Sequence, residues 1–267
     1  MKIKLSDRKF ANLIFIDIIC NGCEGTAVFD TGANMTVVKK SFAQKAKILL
    51  DETNALRCGN NNGSVLDAKL GMVGRISLGN STPVLEKLKV AVLDDSAFDV
   101  GDDEQGASFP ADLFLGWDVI SQFYWKFDLK ERFVEFGQGG RLPAFDDIRW
   151  NRYALIEASF LGEPILMGLD TGHTETLLAS SWLARVPDAK KDSDMITGLG
   201  SAKRVSVMRT GALPINISGQ EVCLDNISIL RGEIPGAVEG TEGLFGMDIL
   251  EGRTWELDFK SGYFKLQ

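Results

Sequence analysis

Two short motifs carry residue types that can perform acid–base chemistry. The tripeptide Asp-Thr-Gly occurs at residues 30–32 and again at residues 170–172. Two carboxyl groups held close together do not both ionise readily, so such a pair shares one proton over a wide pH range. The ionised member can take a proton from water while the protonated member donates one to a carbonyl oxygen. Asp30 and Asp170 are therefore the candidate catalytic pair, if the fold brings them together.

The residues around the two motifs repeat as well, which indicates an internal duplication. Gly22 and Gly162 each stand eight residues before the aspartate, and Thr36 and Thr176 follow it at equal distances. Each threonine leads into a pair of aliphatic residues. The chain therefore contains two copies of one unit, and each copy carries one of the two candidate catalytic aspartates.

A second landmark is repeated downstream of each motif. Gly116-Trp117-Asp118 corresponds to Gly246-Met247-Asp248, and in both copies a strand with alternating apolar residues follows, at 125–129 and 255–259. We expect Asp118 and Asp248 to be structural and to cap the short helices that follow.

The repeats divide the chain into two lobes of similar size. We predict an N-terminal lobe at 1–140 and a C-terminal lobe at 150–267, joined by a linker at about 137–152 that contains two adjacent glycines. The acidic stretch 94–108 is the extra loop of the first copy, and its six acidic residues predict a mobile, solvated segment.

The secondary-structure pattern predicts an all-β protein of two similar lobes. Short apolar strands alternate with Gly, Asn and Pro turns, and helical periodicity is sparse. Short helices are expected only within residues 37–50 and after the two Gly-x-Asp landmarks.

The cysteines do not indicate a metal site. Asn21-Gly22 predicts a tight hairpin turn, so Cys20 and Cys23 should face each other across a hairpin, as two thiols or as a cross-strand disulfide. His173 is the only histidine, and no second Cys-x-x-Cys is present to complete four zinc ligands. We therefore expect neither a metal nor another cofactor.

Composition narrows the classes of partner. With 37 acidic and 29 basic residues, the net charge of −8 argues against nucleic acid and against an anionic membrane surface. No apolar run reaches the roughly 20 residues that span a bilayer. The N-terminus does not resemble a secretory signal, which gives a weak expectation of a cytoplasmic location.

The motifs resemble those of a known family. Phe29-Asp30-Thr31-Gly32-Ala33 is similar to the active-site motif of retropepsin-like aspartic peptidases, and 115–119 and 245–249 resemble the Gly-x-Asp landmark of that family. The resemblance implies two β-barrel-like lobes of the acid protease fold, related by a pseudo-two-fold axis, in a monomer. It implies an endopeptidase acting on an extended peptide or protein.

The resemblance also implies supporting roles near the aspartates. Thr31 and Thr171 would each hydrogen-bond to the opposite loop, while Gly32 and Gly172 would allow backbone to approach the carboxyl groups closely. Two Gly-rich hairpins would act as flaps over the substrate. Their candidate tip residues are Gly59, Asn60, Asn61 and Gly63 in the first copy and Gly198, Leu199 and Gly200 in the second.

Two positions depart from the pattern of pepsin-like lobes. Ala33 lacks the hydroxyl that would hydrogen-bond a carboxylate, which should favour activity at milder pH. His173 either approaches Asp170 or is a polar loop residue. If these residues impair the catalytic pair of aspartates (the dyad), a second interpretation applies: a peptide-binding module that keeps the fold but has weak or lost catalytic activity. An unrelated β-protein is a remote third.

Overall fold

The computed structural model describes residues 1–59, 63–81, 85–101, 109–139, 148–151, 153–186, 188–231, 234 and 240–267. The first half contains strands β1 (Lys2–Lys4), β2 (Phe15–Cys20), β3 (Cys23–Phe29), β4 (Val37–Lys39), β5 (Leu49–Gly59), β6 (Val65–Leu78), β7 (Leu85–Leu93), β8 (Leu113–Leu115), β9 (Phe123–Asp128) and β10 (Phe133–Gln138). The second half contains strands β11 (Ile148–Asn151), β12 (Tyr153–Phe160), β13 (Glu163–Leu169), β14 (Leu177–Leu178), β15 (Lys190–Gly198), β16 (Ser201–Arg209), β17 (Leu213–Ile217), β18 (Gln220–Leu224), β19 (Ser228–Leu230), β20 (Gly243–Phe245), β21 (Thr254–Asp258) and β22 (Tyr263–Leu266).

The helical segments are few and short, as the sequence predicted. Two α-helices, α1 (Lys40–Lys45) and α2 (Trp117–Ile120), are accompanied by 3-10 helices at Asp95–Phe98, Ser180–Ala184, Met247–Ile249 and Phe259–Ser261. In the part of the chain that the structure describes, no helix has the length and hydrophobicity needed to cross a bilayer.

The first lobe is a barrel of six strands with one strand added outside it. The order β2-β3-β8-β4-β7-β6 closes because the end of β6 also pairs with β2, while β5 pairs with the beginning of β6 on the side away from β7. The barrel begins with the predicted hairpin: Asn21 and Gly22 have φ values of 49° and 85°, as a type I′ turn requires. Cys20 and Cys23 face each other across this turn, and both are free thiols.

The second lobe repeats this strand order. Strands β12, β13, β20, β14, β19 and β16 follow the same path, and β15 lies outside β16 as β5 lies outside β6. The long strand β6 of the first lobe corresponds to two strands here, β16 and β17, and β17 makes the pairing with β12. These two similar lobes confirm the predicted all-β class and the internal duplication.

A third sheet joins the lobes beneath the barrels. Its order is β1-β10-β9-β21-β22, so strands from both halves of the chain hydrogen-bond at its centre. Phe127 stacks on Trp255 with ring centroids 4.3 Å apart, and Phe29 packs edge-on against Phe127 at 4.8 Å. Because Phe29 precedes Asp30 directly, this buried aromatic stack supports the first Asp-Thr-Gly loop from below.

Two predictions about the loops have different outcomes. The lobe limits at 140 and 150 stay a prediction, since residues 140–147 lie outside the described residues. The prediction of a solvated acidic loop is wrong for its first part: Phe98 is buried and packs against Phe114 with centroids 5.5 Å apart. Residues 102–108, which form most of the remainder of the acidic stretch, lie outside the described residues.

Candidate active site

The two Asp-Thr-Gly loops begin where equivalent strands end. Asp30 follows β3 and its N–H donates to the Leu115 carbonyl at 3.1 Å, while the Asp170 N–H, after β13, donates to the Phe245 carbonyl at 2.9 Å. In each lobe the strand before the aspartate pairs in parallel with the strand before the Gly-x-Asp landmark. The repeated motifs therefore occupy equivalent places in the two lobes.

The threonines of the two loops are joined by four reciprocal hydrogen bonds. The backbone N–H of Thr31 donates to Thr171 Oγ1 at 3.0 Å, and the N–H of Thr171 donates to Thr31 Oγ1 at 2.9 Å. The hydroxyl of Thr31 donates to the Leu169 carbonyl at 2.8 Å, and that of Thr171 to the Phe29 carbonyl at 2.7 Å. Both threonines are fully buried, so each lobe satisfies polar groups of the other.

The glycines that follow leave room for the opposite carboxyl group. A Cβ atom at Gly32 would lie 2.6 Å from Asp170 Cγ, and a Cβ at Gly172 would lie 2.6 Å from Asp30 Cγ. Each glycine N–H also donates to the aspartate of its own loop, at 2.8 Å for Asp30 and 3.0 Å for Asp170. The structure thus places Asp30 and Asp170 face to face, which any side chain at these glycines would prevent.

The surroundings raise the pKa of both aspartates. Burial raises the pKa of Asp30 well above its ordinary value, and the charge of Asp170 raises it further, while the N–H groups of Gly32 and Ala33 oppose the shift. Burial also raises the pKa of Asp170, to about 6, against the opposing hydrogen bonds from Gly172 and Asp30. One carboxyl group therefore keeps its proton at a pH where an ordinary aspartate is ionised.

Asp118 and Asp248 support the loops from behind, and the prediction that they cap helices is wrong. Gly116 and Gly246 occupy the N-cap positions of the two short helices. The Asp118 carboxylate instead accepts hydrogen bonds from the N–H of Thr36 at 2.9 Å and from its hydroxyl at 2.7 Å. Asp248 accepts the equivalent bonds from Thr176, both at 2.8 Å. Since the threonines lie far away in the chain, only the tertiary structure reveals these pairs.

The two unusual residues after the glycines both line the cleft. His173 Nδ1 lies 2.6 Å from the carbonyl oxygen of Glu175, so this side of the ring is engaged by its own loop. The backbone N–H of His173 donates to the Asp170 carbonyl at 3.1 Å. In the first loop the backbone N–H of Ala33 donates to the Asp30 carbonyl at 3.3 Å. The methyl group of Ala33 cannot donate a hydrogen bond to a carboxylate. Neither residue disturbs the symmetric geometry of the loops.

The candidate flaps are long hairpins that border the same cleft. The first is formed by β5 and β6, with Gly59 and Gly63 on either side of its tip, and the tip residues Asn60 and Asn61 lie outside the described residues. The second is formed by β15 and β16, and its tip consists of Leu199 and Gly200 next to Gly198.

The tip of the second hairpin reaches across to the first lobe. The N–H of Gly200 donates to the carbonyl of Ala97 at 2.7 Å, and the Ser201 hydroxyl lies 3.1 Å from that of Ser64. Leu199 packs against the apolar cluster of the first lobe that contains Phe114. The hairpin therefore spans the cleft and covers the space above the aspartates.

The cleft between hairpins and loops has a volume of about 1160 Å³ and two unlike walls. The wall from the first lobe is mainly apolar and includes Phe10, Met35, Leu56, Leu66, Phe109 and Phe114. The wall from the second lobe is more polar and includes His173, Thr174, Glu175, Asp194 and Thr197. Sequence reasoning missed most of these residues, because an apolar residue carries no signal in the sequence that separates a cleft wall from the core.

The contacts of Leu199 lead to a first testable prediction. Replacing Leu199 by alanine removes the apolar group that holds the hairpin tip on the first lobe, a loss of about 1–2 kcal/mol for a half-buried leucine. We expect the Kd for an extended peptide to rise about 5- to 30-fold, as measured by isothermal titration calorimetry. Leu161→Ala is the matched control, since Leu161 also precedes a glycine at a hairpin turn but is 79% exposed. Equal affinity of both variants would contradict the closing role of the tip.

Comparisons with known proteins agree with this geometry. Residues 16–119, which hold the first aspartate and the first Gly-x-Asp landmark, match the sequence model of the family described as aspartyl protease. The fold is similar to the crystal structure of an aspartic proteinase from Irpex lacteus, with 13% identity and a TM-score of 0.56 over 100% of this chain and 96% of that one. No sequence among the curated proteins matches the chain.

The fold and these comparisons define the class of the protein. The chain has the two-lobed acid protease fold over its whole length, and the predicted resemblance to retropepsin-like aspartic peptidases is confirmed. The segment 16–119 is similar to the aspartyl protease family, and the second lobe repeats its fold around the second aspartate.

Proposed function

We propose that the protein is an aspartic endopeptidase that hydrolyses extended peptides between its two lobes. The observation that carries this proposal is the face-to-face placement of Asp30 and Asp170, held by the reciprocal threonine bonds. The family of the first lobe supports the same activity. The cleft is open to a chain-like ligand and needs no second copy of the protein, so we propose that it acts as a monomer on a peptide or protein substrate.

The pair divides the chemistry of peptide hydrolysis between its members. Burial raises the pKa of both aspartates, and the charge of Asp170 raises that of Asp30 further, so the pair holds one shared proton in the free enzyme. The ionised member takes a proton from the attacking water, and the protonated member donates its proton to the oxygen of the scissile carbonyl. The tetrahedral intermediate then breaks its C–N bond: the amine leaving group receives the proton that the pair took from water, and a hydroxyl group of the intermediate returns its proton to the pair. These roles belong to the coupled pair rather than to either residue in isolation.

The covering hairpin has a clear part in this mechanism. An extended peptide enters beneath the tips of the hairpins, and their closure excludes bulk water from the reacting carbonyl. Opening must break the Gly200–Ala97 hydrogen bond and the contact between the Ser201 and Ser64 hydroxyl groups.

The test of the function uses peptide cleavage and two matched inhibitors. A mixed peptide library is incubated with the protein from pH 3.5 to 7.5, and new termini are identified by mass spectrometry. A cleaved peptide is then resynthesised with a secondary alcohol or with a reduced amide in place of the scissile bond. The alcohol resembles the tetrahedral intermediate, so an aspartic peptidase should bind it at least about 100-fold more tightly. Library peptides that bind but yield no new termini at any pH would identify a peptide-binding module instead, and equal affinity of the two analogues would contradict acid–base hydrolysis by the pair.

The raised pKa values predict the pH profile of the reaction. The active pair holds one proton, so activity requires loss of the first proton, for which the pKa of Asp170 is about 6. We expect kcat/KM to fall as the pH decreases below about 6 and to remain high towards neutral pH, since the second proton leaves the pair only at a higher pH. Initial rates on one purified peptide across the pH range check this. A maximum below pH 4 would contradict it.

A further inference from the structure

Trp117 holds the first Asp-Thr-Gly loop through one more hydrogen bond than its counterpart can make. Its backbone N–H donates to the Ala33 carbonyl at 2.9 Å, and its indole Nε1–H donates to the Thr31 carbonyl at 2.5 Å. In the second lobe Met247 makes the equivalent backbone bond to the His173 carbonyl at 2.8 Å. The thioether of methionine has no N–H, so the indole contact is specific to the loop of Asp30.

The position of the indole makes this contact rigid. Trp117 is only 4% exposed, and its ring packs against Phe259 of the second lobe with centroids 4.9 Å apart. A hydrogen bond in such a buried place is stronger than one in water. The ring therefore connects the first loop to a 3-10 helix of the other lobe, and the carbonyl that it binds belongs to the residue next to Asp30.

We propose that Trp117 is a positioning residue that fixes Asp30 opposite Asp170 through the Thr31 carbonyl. This inference rests on the proposed function, because it assigns Trp117 a part in turnover. Misplacement of a reacting group by about 1 Å can lower the rate about 100-fold. Trp117 does not contribute to the described wall of the cleft, so its loss affects turnover rather than peptide binding.

The experiment removes the indole N–H in two ways. Trp117→Phe removes the donor and part of the ring, whereas 3-benzothienyl-alanine at position 117 replaces only the N–H by sulfur and preserves the packing. The same two changes at Trp182 are matched controls, because its indole is fully buried, donates to the Glu242 carbonyl at 3.0 Å and packs against Phe160 in the second lobe. We expect kcat to fall about 10- to 100-fold for the Trp117 variants with KM changed less than about 3-fold. Both Trp182 variants should stay within about 3-fold in kcat and in KM.

A second measurement does not depend on activity. Amide hydrogen exchange followed by mass spectrometry compares the loop of Thr31 and Gly32 with the loop of Thr171 and Gly172. Loss of one hydrogen bond to a loop should increase local exchange about 10-fold, and only in the first loop of the Trp117 variants. Equal changes in both loops, or no change in the first, would overturn the inference.

The outcomes separate this inference from the proposed function. Unchanged turnover of the Trp117 variants beside an active wild-type protein overturns the positioning role alone. Losses of similar size in the Trp182 variants overturn it too, since general packing would then explain the effect. A wild-type protein that cleaves no peptide refutes the proposed function and with it a role in turnover, while the exchange rates still decide whether Trp117 holds the loop.

Discussion

The substitutions Asp30→Asn and Asp170→Asn are each expected to lower kcat about 1000-fold. Asparagine keeps the size of the side chain but can neither accept the proton of water nor share a proton with its partner, and general acid–base catalysis contributes about 10²–10⁴-fold. The KM should change little, because the amide still fits between the glycine and the opposite carboxyl group. Steady-state kinetics on one purified peptide provide the measurement.

The matched control for these variants is Asp17→Asn. Asp17 lies on β2 of the same barrel and is exposed, so the same chemical change occurs away from the cleft. Kinetics equal to the wild type are expected for it. Appreciable turnover by Asp30→Asn would contradict the shared role of the dyad and would direct attention to another mechanism.

The same variant also has a predicted effect on stability. The folded-state pKa of Asp30 is raised, so the wild-type protein loses stability as the pH rises from the ordinary aspartate value of 3.8 through that raised pKa. Asparagine does not titrate. The melting temperature of Asp30→Asn should therefore increase relative to the wild type between pH 4 and pH 7, the usual sign of a functional group that is costly to bury.

The substitution Thr31→Val is expected to lower the free energy of unfolding by about 2–5 kcal/mol. Valine has the shape of threonine, but it leaves the Leu169 carbonyl and the Thr171 N–H without their partner, and each orphaned buried group costs about 1–3 kcal/mol. Thr171→Val should act in the same way through the Phe29 carbonyl and the Thr31 N–H. Urea unfolding measures both free energies.

Serine is the matched control at each position, because it keeps the hydroxyl and loses one methyl group, worth about 1 kcal/mol. A double-mutant cycle with both valines should show strong coupling, since the four bonds form one set between the lobes. Valine variants as stable as the serine variants would show that the reciprocal bonds contribute little to the junction of the lobes.

The sequence alone predicted those features that depend on local chemistry or on repetition. Two Asp-Thr-Gly motifs at matched positions indicated the dyad, and Asn21-Gly22 indicated the first hairpin because few residues adopt positive φ without strain. The strand pattern indicated two β lobes, and the resemblance added their relation across an axis.

The remaining features depend on contacts between distant parts of the chain. Asp118 accepts bonds from Thr36, 82 residues earlier, and Gly200 meets Ala97 in the other lobe. No local pattern distinguishes a carboxylate that caps a helix from one that binds a remote threonine. Ala97 and Phe98 were hidden for a related reason, since the acidic residues around them dominate the composition of that segment.

The unlike walls of the cleft have a consequence for the direction of the ligand. A site built from two identical chains offers the same surface on both sides, so a peptide meets equal surroundings in either of its two binding directions. Here the apolar wall around Phe109 and Phe114 faces a polar wall around Glu175 and Asp194. Fusion of the two halves into one chain allowed each wall to change independently. Under the proposed function, the cleft therefore distinguishes the amino end of a bound peptide from its carboxyl end before any bond is broken.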